Sequence, residues 1–97
     1  MYMKIHHAPG AGDVVAVCDR ELLNTTLSHG ELEVCISDRF YGDIPVTEDE
    51  VRSALAHAEN ANIMGTRSVA IAVSLGMVER EHCIMIGTVP HAQIFRL

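Results

Sequence analysis

The chain has 97 residues, enough for a single domain with a modest core spanning residues 1–97. Its hydrophobic share of 48% argues against disorder, and no apolar run reaches the length of a membrane span. The formal charge of −6 is spread along the chain, which argues against a domain that grips nucleic acid through a basic surface, since counterion release needs clustered Lys and Arg.

In chain order, Met3 and Ile5 alternate with Lys4 and His6 in a first strand over 1–8. The turn Pro9-Gly10-Ala11-Gly12 follows. A second strand over 13–18 carries the continuous run Val14-Val15-Ala16-Val17, the pattern of burial on both faces. Asp19 is placed to cap a short helix in which Leu22, Leu23 and Leu27 recur at helical spacing, and Gly30 ends it. Leu32, Val34 and Ile36 then alternate in a half-buried strand over 31–37. Residues 38–45 read as irregular, with Phe40 and Tyr41 adjacent.

Thr47-Glu48-Asp49-Glu50 is a capping box opening a helix over about 48–63, with Val51, Leu55, Ala58 and Asn62 on one face. Gly65 breaks it, and a second helix runs from Thr66 to a cap at Gly76. Strands over 82–86 and 91–97 flank the loop Gly87-Thr88-Val89-Pro90. The expected order is β-β-α-β-α-α-β-β. That order implies an α+β two-layer sandwich with a largely antiparallel sheet.

Candidate ligand-binding residues gather in two stretches. At the Gly65 junction, a new helix offers N–H groups without intrahelical partners, and its dipole favours an anion there. Thr66 and Ser68 add hydroxyls, Arg67 adds a donor fork, and Asn62 faces the same space. In the final strand, His91 and Gln93 share a face and can bind a polar ligand or relay a proton. The candidate site is therefore Asn62, Gly65, Thr66, Arg67, Ser68, His91 and Gln93. Each stretch also has a plain structural reading, as helix punctuation and as a wet strand face.

No metal and no cofactor are expected. The histidines and cysteines form no CxxC or HExxH spacing, and His6-His7 and His82-Cys83 are strand neighbours that diverge. No catalytic residue is assigned, because no nucleophile-and-base arrangement is visible. His29 reads as a helix-end cation and His57 as a surface position. The odd, dispersed cysteines and the absence of a signal segment imply a cytoplasmic setting away from membranes.

Several stretches together resemble the archaeal domain-of-unknown-function 424 family. They are Val14-Val15-Ala16-Val17-Cys18-Asp19-Arg20-Glu21-Leu22-Leu23, Phe40-Tyr41-Gly42, Asn62-Ile63-Met64-Gly65 and Val89-Pro90-His91-Ala92-Gln93. The resemblance implies an archaeal cytoplasmic protein with an α+β two-layer fold and supplies no activity. The residues themselves suggest a non-enzymatic binding or adaptor module for an anionic group on RNA, a nucleotide or a protein partner; a role around translation or RNA handling is an expectation from the archaeal resemblance and not from residue chemistry. The alternatives are a small enzyme with His91 as general acid/base and Arg67 as anion anchor, and a homodimer paired through the last strand.

Overall fold

The computed structural model describes residues 1–10 and 12–95. The expected turn residue Ala11 and the strand residues Arg96 and Leu97 lie outside the described residues. The elements in order are β1 (Tyr2–His6), β2 (Val14–Cys18), β3 (Thr25–His29), β4 (Leu32–Ile36), α1 (Asp38–Tyr41), α2 (Glu48–Ala56), β5 (Asn60–Met64), α3 (Thr66–Ser74), β6 (Ile84–Ile86) and β7 (Val89–Phe95). Short 3-10 turns occupy Arg20–Leu22 and Arg80–His82. The fold is α+β. Its main sheet has the order β1-β2-β5-β7-β6 and is antiparallel except between β2 and β5. β3 and β4 form a separate antiparallel hairpin.

The run Val15-Ala16-Val17-Cys18 is buried throughout because β2 lies inside the sheet and is covered on both faces. Val15 and Val17 join Ala61, Ile63, Ala92 and Ile94 under α2 and α3, which supply Val51, Leu55, Val69, Ile71 and Ala72. On the opposite face, Ala16, Cys18, Met64 and Ile86 pack with Ile36 and Tyr41, against Leu22, Leu23, Leu27, Val34 and Phe40. The hairpin and α1 thus supply the cover on that side.

α2 begins as expected: the Thr47 hydroxyl accepts from the Glu50 N–H, and the Glu50 carboxylate accepts from the Thr47 N–H. α3 ends as expected: the Met77 N–H donates to the Ala72 carbonyl and the Gly76 N–H to the Val73 carbonyl, a Schellman arrangement past the helix end.

Three local expectations are corrected. Residues 60–64 form a central strand, and α2 stops at Ala56. Asn60 and Asn62 alternate with buried Ala61 and Ile63, a period of two that the short helix-like spacing concealed. The stretch after Asp19 is a 3-10 turn followed by β3, because Asn24 takes a left-handed φ of 62° and Thr25 and Thr26 favour extended backbone. Gly30 is then the first residue of a two-residue hairpin turn, and His29 sits at the hairpin tip, where its Nδ1 accepts from the Gly87 N–H. Residues 38–41, read as irregular, form the short helix α1, opened by the Ser37 hydroxyl accepting from the Arg39 N–H.

β7 is an interior strand between β5 and β6, so it is not the sheet edge that pairing through the last strand requires. No helix among the described residues is long and apolar enough to cross a membrane.

Candidate functional site

The start of α3 already holds an anion, and it belongs to the chain. Asp19 is 2% exposed, and its Oδ2 accepts from the Arg67 N–H at 3.0 Å. Its Oδ1 accepts from the Ser68 N–H at 2.8 Å and from the Ser68 hydroxyl at 2.7 Å. The Asp19 N–H in turn donates to the Met64 carbonyl, which fixes the loop after β2 against the end of β5. The carboxylate does for α3 what a side-chain cap does within one helix, from 49 residues away in sequence. Of the N–H groups expected to meet an external anion, at Thr66 and Ser68, that of Ser68 is therefore engaged internally, as is that of Arg67 between them. The signal for this lies in Asp19 itself: a capping residue by type, it makes no cap to the turn that follows it and caps α3 instead.

Gly65 permits the arrangement. Its φ of 113° and ψ of 156° lie in a region essentially restricted to glycine. A Cβ there would lie 2.3 Å from the Asp19 Cγ. The Gly65 N–H donates to the Pro90 carbonyl, which ties the junction to β7. Thr66 is exposed and Ser68 is fully buried. The Arg67 guanidinium pairs with the Glu21 carboxylate, both side chains being about 60% exposed.

Asn62, His91 and Gln93 are brought together on the sheet face opposite α2 and α3. Register sets Asn62 directly beside Gln93, and Met64 beside His91. The next row pairs Asn60 with Phe95. The Tyr41 hydroxyl donates to the Oδ1 of half-buried Asn62 at 2.7 Å, which orients the amide, with Nδ2 as its donor group. Burial pushes the Tyr41 phenol well above its ordinary range, so it remains a donor. Gln93 is exposed, and Phe95 is 67% exposed. The His91 Nδ1–H donates to the Ile63 carbonyl at 3.0 Å, because a carbonyl can only accept; the neutral ring then carries its lone pair at Nε2.

At the β1 side of this face, the His6 ring stacks on Phe40 with centroids 4.8 Å apart and donates from Nε2 to the Phe40 carbonyl. Asn62, Gln93 and Phe95 thus form an open strip of two amides and one aromatic, bordered by α1. Phe95 and Tyr41 were not among the expected site residues. Phe95 was findable, since strand alternation places it on the face of His91 and Gln93. Tyr41 was not, because its contact with Asn62 spans 21 residues.

Arg67 and His91 serve different surroundings. Arg67 lines a cavity of about 210 Å³ with Met1, Glu48, Arg52, Ala70 and Ile71, between α2 and α3. His91 lies on the opposite sheet face, held to Ile63. Among the described residues, no group of three or more His, Cys, Asp or Glu side chains converges as a metal site would require.

Comparison with known proteins agrees with this geometry in fold. A crystal structure of an uncharacterised conserved protein from Methanopyrus kandleri is similar to the chain, with a TM-score of 0.79 and 26% identity, covering 99% of this chain and 92% of that one. No curated protein matches the sequence. The family model described as a protein of unknown function, DUF424, matches residues 6–97. The chain therefore belongs to the DUF424 family.

Proposed function

We propose that the protein is a non-enzymatic binding module that takes a nucleobase, from a nucleotide or from single-stranded RNA, on the open strip of its sheet. One observation carries this reading: the Asn62 amide, held in one orientation by Tyr41, stands beside exposed Gln93 and next to an exposed Phe95. A side-chain amide offers donor and acceptor at the spacing of a base edge. An exposed aromatic ring offers the stacking platform that single-stranded nucleic acid uses. The ligand is anionic through its phosphates, but with a chain charge of −6 they contribute little attraction. Recognition rests on the base, and His91 borders the strip with its Nδ1–H engaged by the Ile63 carbonyl.

Fluorescence anisotropy with a labelled single-stranded RNA octamer tests this. Saturable binding is expected, and Phe95→Ala should weaken it about tenfold, in keeping with the loss of one stacked base. Asn62→Ala and Gln93→Ala should each weaken it several-fold. Raising salt from 50 to 200 mM should weaken binding by less than about tenfold, far below the loss a protein with many phosphate contacts shows. Absence of saturation, or affinity unchanged by both Phe95→Ala and Asn62→Ala, would overturn the reading.

A further inference from the structure

The geometry points to a second site on the other side of the sheet: the cavity between α2 and α3 takes a small organic oxyanion, a carboxylate or phosphate with a short aliphatic body. Two arginines, Arg52 and Arg67, line one space of about 210 Å³, together with the Glu48 carboxylate that Arg52 holds. Arg52 uses Nη1 on the Ser74 hydroxyl and Nη2 on Glu48, each at 2.9 Å. Arg67 uses one nitrogen on Glu21. Each fork has five N–H donors, so both keep donors to offer. Met1, Ala70 and Ile71 supply an apolar wall suited to a short alkyl chain.

Ion pairs with carboxylates this exposed are weak, because water screens them and ordering two long side chains costs entropy. An oxyanion that meets both forks at once, with its body against Ile71, exchanges for them on better terms. The site is independent of the capped start of α3: Asp19 holds backbone N–H groups there, while the cavity is read by side chains. It is also separate from the nucleobase strip, which lies on the opposite face of the sheet.

The test is a titration of the full chain with sodium butyrate, sodium acetate and inorganic phosphate, followed through the arginine Nε–H resonances. Butyrate should shift Arg52 and Arg67 saturably and bind up to about tenfold more tightly than acetate, from its two extra methylenes. Arg52→Met should abolish saturation while amide dispersion shows the fold intact. Glu21→Gln, which removes a competing carboxylate from an exposed position, should tighten binding several-fold. Shifts that stay linear for all three anions, or saturation that survives Arg52→Met, would overturn the proposal.

Discussion

At the scale of single residues, Gly65 and Asp19 form one unit. Gly65→Ala places a methyl group into the Asp19 carboxylate on a backbone conformation that only glycine adopts readily. It should destabilise the fold by about 2–4 kcal/mol, measured as a lower midpoint in urea. Asp19→Ala removes the acceptor for two N–H groups and a buried hydroxyl and should cost a similar amount, about 2–4 kcal/mol. Asp19→Asn keeps one oxygen acceptor and should cost less. The cysteines separate by environment: burial, and then the neighbouring Asp19 carboxylate, push the Cys18 thiol up to about 11, while Cys35 is exposed. A thiol reagent at pH 8 should modify Cys35 in the folded protein and reach Cys18 only on unfolding. Cys18 reacting as fast as Cys35 would contradict its burial in the sheet.

Among the elements, α2 is the one most fully written into local sequence. Thr47→Ala removes its cap and should cost about 1 kcal/mol. The backbone N–H of Thr47, and then its hydroxyl, hold the Glu50 carboxyl below its usual 4.5. A carboxyl lowered on folding adds stability that is complete above its unfolded pKa and disappears as the pH falls through the folded value. The difference in stability between wild type and Glu50→Gln should therefore be present at pH 6 and vanish in acid. A difference that persists unchanged at pH 2 would contradict the capping role.

α2, α3 and β4 were legible because caps, a glycine break and strict alternation are contained within each segment. β5 was not, because its partners are β2 and β7, each about thirty or more residues away, and Asn60 and Asn62 carry little strand preference of their own. β3 was hidden by Leu22, Leu23 and Leu27, which mimic one helical face but come from a turn and a strand that meet the same side of the sheet. The site divided on the same grounds. His91 and Gln93 could be placed together by alternation alone. Their meeting with Asn62 depended on a strand pairing that local pattern cannot specify. The capping of α3 by Asp19 depended on a contact across half the chain.

Over the whole molecule, the sheet separates two environments. Its helical face holds the larger apolar core and the cavity between α2 and α3 that Arg52 and Arg67 line. Its other face is closed at one end by the hairpin and α1 and open at the strip formed by Asn62, Gln93 and Phe95. The strip therefore combines a rigid platform, since β5 and β7 are interior strands, with the exposed side chains of Gln93 and Phe95 beside an Asn62 oriented by Tyr41. The most direct measurement is a two-dimensional amide and side-chain NMR titration with the single-stranded RNA octamer. The account predicts saturable shifts in the Asn62 and Gln93 side-chain amides and the Phe95 ring, with Thr66–Ser68 at the Asp19 cap unmoved. Shifts concentrated at Arg67 and the start of α3, with the strip silent, would contradict it.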